Sequence, residues 1–188
     1  MRGAAAIVII GVLAGSAGRA GAEPLPRGSM GLIVGAIAGT GPDANRLGLG
    51  YIGYPFSFHA AWQPMDSEQR IGWTARWTTF FTSNGYASAA QIADLQTMQM
   101  DLTLGVRVRP GKSPRRYLTA RAGPAMFRAN QTIPPKMQRA FVGAVGSVGV
   151  QQYLVGTLFL LDFDLRYGLV GDGPSSIAFT AGFSINGP

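Results

Sequence analysis

A histidine beside a serine could form a nucleophilic site, because a histidine base can activate a serine hydroxyl. The chain has one histidine, His59, with Ser57 two positions before it. The segment around it is aromatic, which predicts a structural histidine in a wall or interface. Cysteine is absent, so thiol catalysis and cysteine-based metal sites are excluded. One histidine and scattered carboxylates supply no ligand cluster, and we predict no catalytic, cofactor or metal site.

A second set of chemically active residues consists of isolated charges within segments of small and apolar residues. Because an unpaired buried charge is very costly, buried charges of both signs are expected to pair. We predict that they form a salt-bridge network that rigidifies an interior, with a gated route for small solutes as the alternative. The members of this predicted network are Arg76, Asp101, Arg107, Arg121, Asp162, Asp164 and Arg166.

The segment from Met98 to Arg109 indicates which element positions these charges. Its even positions are large and apolar, and its odd positions are polar, charged or glycine. Since a strand turns successive side chains to opposite faces, the pattern predicts a strand with one apolar and one polar face. A tilted strand needs about ten residues to cross a bilayer, and this segment is long enough.

Similar alternation recurs along the chain and predicts an all-β protein of eight antiparallel strands. Pro55 in the second strand predicts a bulge or a strand end, and the facing of the sixth strand is ambiguous. The predicted strands are 31–40, 46–62, 70–82, 98–109, 116–128, 139–153, 158–169 and 176–185.

The first 22 residues have the features of a secretory signal peptide. Arg2 supplies the positive charge, residues 4–14 form a short apolar run, and Ala20-Gly21-Ala22 fits a cleavage site. The run is too short for a membrane-spanning helix, which needs about 20 residues. We therefore predict a signal peptide at 1–22, a short lead at 23–29 and one domain at 30–188.

The net charge is +7, yet only 13% of residues are charged. The arginines and lysines are scattered rather than clustered, which argues against nucleic-acid binding. Anionic lipid headgroups or lipopolysaccharide fit a dispersed basic surface better.

The composition of the polar face distinguishes a membrane barrel from a soluble one. A face exposed to water would carry many Lys, Glu, Asn and Gln residues, whereas this face carries Gly, Ala, Ser and Thr with the isolated charges. Five aromatic residues of the apolar face lie towards strand ends, where girdles anchor barrels at headgroups: Tyr54, Trp62, Trp73, Phe81 and Tyr167. We therefore predict an eight-stranded up-and-down transmembrane β-barrel.

The lengths of the connections predict its orientation. With the mature N-terminus in the periplasm, the connections near 41–45, 83–96, 129–138 and 170–175 face outward, and those near 63–69, 110–115 and 154–157 face the periplasm. The longest, Ser83 to Gln96, falls on the outer side, as expected for such barrels.

The chain resembles the small outer-membrane β-barrel family of Gram-negative bacteria, which includes OmpA-like and OmpW-like barrels. The resemblance rests on residues 117–123, on the hairpin 149–167 and on the closing strand. It implies a location in the outer membrane and insertion by the barrel-assembly machinery, which recognises a terminal strand of alternating apolar residues. Phe179, Phe183 and Ile185 fit that signal, although the chain ends in Asn186-Gly187-Pro188 rather than in an aromatic residue.

Some eight-stranded barrels are lipid A deacylases, which carry a His-x-Ser-Asn motif. This chain has Phe81-Thr82-Ser83-Asn84, with phenylalanine in the position of the histidine. A palmitoyltransferase-like pairing of His59 with Ser57 or Ser83 is the remaining enzymatic alternative. We do not expect an enzyme.

The function predicted from the sequence is that of a monomeric structural or surface-interaction barrel, with Ser83 to Gln96 as the main contact surface. One alternative is a transporter or channel for small or hydrophobic solutes. A second is a soluble secreted barrel that binds a ligand. An eight-stranded barrel is only just wide enough for its side chains to fill, which argues against an open pore.

Overall fold

The computed structural model describes residues 26–40, 52–64, 69–83, 95–111, 113, 115–131, 137–170 and 175–187. These form eight strands that pair in chain order into one closed antiparallel barrel. The predicted fold is confirmed. The strands are β1 (Gly28–Thr40), β2 (Ile52–Trp62), β3 (Ile71–Ser83), β4 (Leu95–Val108), β5 (Arg116–Gln131), β6 (Met137–Leu154), β7 (Phe159–Val170) and β8 (Ser175–Gly187).

The barrel closes because β1 pairs with β8 along its full length, from Gly28 opposite Gly187 to Thr40 opposite Ser175. Paired residues followed once around the barrel from Gly28 lead to Ala38, ten positions further along β1. With eight strands, this stagger gives a strand tilt of about 40°. The geometry is that of a small transmembrane barrel.

Alternate residues of each strand face the lumen and the exterior. On β7, Asp162, Asp164 and Arg166 are buried, whereas Leu165 and Leu169 are exposed. The same holds for β6, whose facing the sequence left open: Val142 and Val148 point outward, and Ser147 and Gln151 point inward. The exterior is therefore apolar and the lumen polar.

The main corrections concern β1 and Pro55. The strand β1 begins at Gly28 rather than at residue 31, because Gly28 and Ser29 already pair with both β2 and β8. Pro55 causes neither a bulge nor a strand end. The pairs on either side of it, Val34 with Phe56 and Ile37 with Gly53, keep one register. Since proline has no N–H, the effect is a local gap in pairing with β1, and Pro55 still pairs with Thr82 of β3.

The two ends of the barrel differ. One end, which we call the turn end, carries the connections 63–70, 109–115 and 155–158 together with the beginning of β1 and the end of β8. The other, the loop end, carries 41–51, 84–94, 132–136 and 171–174. The predicted signal peptide, residues 23–25 of the predicted lead and these loop-end connections lie outside the described residues. Within the described part of the chain, no helix is long and apolar enough to span a membrane.

Candidate functional site in the barrel lumen

The seven charges that the sequence singles out all lie on inward-facing positions of β3, β4, β5 and β7 and are buried. Arg76 is 1% exposed, Arg107 0% and Asp164 1%. Each strand supplies these residues at the parity opposite to its exposed apolar residues, so the alternation alone places them in the lumen. Four arginines thus face three aspartates.

Asp164 is the centre of the network. Its Oδ2 accepts a hydrogen bond from Arg76 Nη1 at 2.6 Å, and its Oδ1 accepts one from Arg121 Nη2 at 2.5 Å. Asp162 Oδ2 accepts from the same Arg76 nitrogen at 3.0 Å and from Gln151 Nε2 at 3.0 Å. Arg121 Nη2 also lies 3.7 Å from Asp162 Oδ1. Two arginines and two aspartates therefore join β3 and β5 to β7 across the lumen.

A second ion pair joins β4 to β7. Arg166 Nη2 donates to Asp101 Oδ2, which also accepts a hydrogen bond from Gln99 Nε2 at 3.3 Å. The guanidinium of Arg166 lies over the ring of Phe80, 4.5 Å from its centroid. The Arg166 guanidinium is thus held between the Asp101 carboxylate and the face of the Phe80 ring.

Arg107 does not join these ion pairs. Its guanidinium lies over the ring of Tyr117 at 3.8 Å and near the ring of Tyr153 at 5.1 Å, and its Nη2 donates to the Tyr153 hydroxyl at 2.7 Å. Among the described residues, the partners of Arg107 are thus two tyrosines, whereas the sequence predicts a carboxylate. The aromatic faces of two tyrosines attract the cation in place of an acid.

The tyrosines form a layer near the turn end that the sequence did not reveal. Tyr117 and Tyr153 are fully buried, pack edge to face with centroids 5.7 Å apart and form a cluster with Leu160. Tyr117 is at an inward-facing position of β5, where the sequence shows it only as one of several polar residues. Tyr153 stands on β6, whose facing was ambiguous. Only the pairing of β5 with β6 brings the two rings together.

Gly149 of β6 shows how tightly the network is packed. It stands opposite Asp164. A Cβ built on Gly149 would collide with Asp164 Oδ1 and would lie 2.5 Å from the carbonyl oxygen of Phe163. This glycine therefore leaves the space that the central carboxylate occupies.

His59 is buried in the lumen on β2, and its Nε2 lies 2.8 Å from Ser184 Oγ of β8. Its partner is thus Ser184 and not Ser57, whose hydroxyl donates to the carbonyl of Phe58 at 3.1 Å. The side chain of Ser83 lies outside the described residues. His59 Nδ1 has no hydrogen-bond partner among the described residues, so within them the ring lacks the second partner that orients a catalytic histidine. Within the described residues no cluster of three or more potential metal ligands occurs.

The exterior carries large apolar side chains on all eight strands, including Met30 at 71% and Val142 at 76% exposure. Trp62 and Trp73 contact each other at the turn end, 4.1 Å between centroids, and Phe159 stacks on Phe183 at 5.1 Å there. Of the predicted girdle, Trp62, Trp73, Phe81 and Tyr167 are exposed, and the side chain of Tyr54 lies outside the description. A soluble barrel would hide this face, so the exterior matches lipid rather than water.

Solved structures of outer-membrane barrels have the same fold. Ail, the attachment invasion locus protein of Yersinia pestis, is 12% identical, with a TM-score of 0.60 over 87% of this chain and 98% of that one. Neisserial surface protein A is 14% identical, with a TM-score of 0.58 over 88% and 100%. The N-terminal β-barrel domain of Pseudomonas aeruginosa OprF is 9% identical, with a TM-score of 0.54 over 88% and 100%.

No protein-family model matches the chain, and no curated protein matches it. At these identities the structural likeness shows the fold. Together with the apolar exterior and the charged lumen, it identifies the chain as a transmembrane β-barrel of the outer-membrane type.

Proposed function

We propose that the protein is a non-enzymatic, non-conducting barrel of the outer membrane that holds the loop-end connections at the cell surface for interaction. The observation that carries this proposal is the lumen network, in which Asp164 of β7 contacts both Arg76 of β3 and Arg121 of β5. A barrel whose charges tie three strands together across its interior is a rigid support. Its lumen is no free path for ions.

The Arg107 layer supports the same proposal. Arg107, Tyr117 and Tyr153 are all fully buried, and they reach towards one another from β4, β5 and β6. They lie closer to the turn end than the ion pairs do. A solute would have to displace both the ion-pair network, which charge-assisted hydrogen bonds hold together, and the Arg107 layer, which cation–π contacts hold together.

The orientation within this proposal places the turn end in the periplasm and the loop end outside. It is supported by the short turn-end connections and by the chain's first strand, which begins at that end. We further propose that the barrel is monomeric and that the barrel-assembly machinery recognises the outward residues of β8, Phe179, Phe183 and Ile185. These are exposed along the strand that closes the barrel on β1.

Planar-bilayer conductance tests the closed lumen. The full barrel is expected to pass no current, and so are the variants Asp101→Asn and Arg107→Gln. Asp101→Asn leaves the Arg107 layer intact, and Arg107→Gln leaves the ion-pair network intact. Steady single-channel currents from the wild-type barrel would contradict the proposal and favour a channel for small solutes. Currents confined to Arg107→Gln would indicate that the tyrosine layer alone closes the lumen.

An epitope tag within 84–94 tests the display of the loop end. Intact cells are expected to bind an antibody to that tag, whereas a matched tag at residue 112 is detected only after the outer membrane is opened. Surface detection of the tag at 112 alone would reverse the proposed orientation.

A further inference from the structure

The membrane-facing wall carries an apolar groove of about 630 Å³. Its centre consists of Ala120 and Ala122 on β5 and Gly146 on β6, which stand next to one another in register. Larger outward residues of β4, β6, β7 and β8 surround them: Leu104, Val106, Val148, Leu165, Tyr167 and Ile177. The groove is thus a recess in the lipid-facing surface that only an apolar group would fill.

Arg116 stands on the same outward face of β5 at the turn end. Every second residue of a strand faces the same side, so positions 116, 118, 120 and 122 all face the exterior. Arg116 and the two alanines therefore lie in one line along β5. Arg116 is exposed. Its Nε donates to Gln152 Oε1 of β6 at 3.2 Å. That bond fixes the guanidinium at the rim and does not use its Nη atoms.

The spacing along β5 matches one leaflet of a bilayer. Ala122 is six positions after Arg116, which is about 20 Å along a strand. At a tilt of about 40° this gives a depth of about 15 Å, half of the hydrocarbon core of about 30 Å. A lipid with its headgroup at Arg116 would therefore reach the groove with the lower part of an acyl chain.

The charge of the turn end favours an anionic headgroup. Five arginines lie at this rim: Arg27, Arg70, Arg109, Arg115 and Arg116. The carboxylates that the structure describes, Asp101, Asp162 and Asp164, are all in the lumen. Asp66 and Glu68, in the neighbouring connection, lie outside the described residues. Arginines at a membrane surface attract anionic lipid.

We propose that the barrel binds one anionic phospholipid, with its phosphate at Arg116 and one acyl chain in the groove over Ala120, Ala122 and Gly146. The inference rests on the proposed function for the membrane embedding and for the orientation, which places this lipid in the periplasmic leaflet. The lipid fills a recess that would otherwise interrupt the contact between wall and bilayer.

Spin-labelled lipids in vesicles test this site. The full barrel is reconstituted in phosphatidylcholine with a trace of phosphatidylglycerol or phosphatidylcholine labelled near the acyl terminus. We expect the wild-type barrel to immobilise the labelled phosphatidylglycerol preferentially. Arg116→Gln should lower that preference about fivefold, the effect of one arginine at an anionic surface.

Filling the groove gives an independent variant. A Cβ on Gly146 would have its nearest contact, the carbonyl oxygen of Arg121, at 3.9 Å, so the backbone accepts a side chain here, and the leucine of Gly146→Leu would extend into the groove. It should reduce the immobilised fraction of the labelled phosphatidylglycerol. The matched control is Ala60→Leu, on the outward face of β2 at the opposite side of the barrel, which should leave that fraction unchanged.

The outcomes separate the inference from the proposed function. A barrel that inserts, with heat-dependent gel mobility, but shows no preference for phosphatidylglycerol overturns the lipid site alone. Equal effects of Gly146→Leu and Ala60→Leu overturn it as well, as does a crosslinked dimer that Gly146→Leu abolishes, since the occupant would then be a second copy. A chain that fails to float with the vesicles overturns the proposed function itself.

Discussion

Asp164→Asn is the perturbation that most strongly tests the lumen network. The carboxylate accepts from Arg76 at 2.6 Å and from Arg121 at 2.5 Å, and all three groups are buried. Asparagine keeps the size of the side chain and removes its charge. The described lumen would then hold four arginines and two aspartates.

The expected loss follows from the partners that remain. Arg76 keeps Asp162 at 3.0 Å, whereas Arg121 keeps only the longer contact of 3.7 Å. Removing one partner of a buried ion pair costs about 3–5 kcal/mol, because the other charge stays buried without compensation. We expect a loss in the upper part of that range, since two guanidinium groups are affected. Salt should change it little, because buried pairs are poorly screened.

Urea-induced unfolding of the barrel in lipid vesicles measures this loss. Trp62, Trp73 and Trp77 face outward, so their fluorescence reports the transfer from lipid to water. The control is Thr119→Val, at another buried lumen position whose hydroxyl has no hydrogen-bond partner among the described residues. It should cost less than about 1 kcal/mol. A loss for Asp164→Asn no larger than that of the control would refute the reasoning.

Three further predictions concern the packing of the wall and the lumen. Gly149→Ala should lower the free energy of unfolding by about 1–3 kcal/mol through overpacking against Asp164, whereas Gly146→Ala on the outward face should leave it unchanged in the same urea titration. Tyr153→Phe should cost about 1.5–3 kcal/mol, because the Arg107 guanidinium loses its hydrogen bond, and retention of full stability would show that the stacking on Tyr117 suffices. Phe183→Ala, which removes the stacking on Phe159 and an apolar residue of β8, should slow insertion into vesicles as followed by the heat-dependent gel shift, and an unchanged rate would rule out a role for that residue in assembly.

The fold could be predicted from the sequence because alternation of residue types is a local signal. Successive residues such as Leu102 and Thr103 differ so clearly in polarity that the two faces of β4 can be assigned without knowing its neighbouring strands. β6 was ambiguous because its glycines, alanines and valines contrast too little between the two faces. The beginning of β1 was missed for another reason: Gly28 and Ser29 have poor intrinsic strand preference, and their pairing with β2 and β8 decides the outcome.

The pairing within the lumen could not be predicted, because it depends on the stagger of the closed barrel. The free-energy cost of an unpaired buried charge requires that the lumen charges have partners, but it does not specify which residues these partners are. Arg107 has tyrosines as its partners only because β4, β5 and β6 bring those rings to the same level. The contact of His59 with Ser184 likewise follows from the closure of β1 on β8, which brings β2 and β8 to the same side of the lumen.

Cysteine scanning along β4 tests the central claim most directly, since the native chain has no cysteine. Single variants Leu102→Cys, Thr103→Cys and Leu104→Cys would carry a fluorescent label in vesicles that contain nitroxide lipids. A barrel with a lipid-facing apolar exterior and a polar lumen predicts strong quenching of the labels at 102 and 104 and weak quenching at 103. Strong quenching at 103 alone, or no quenching at any of the three, would contradict it.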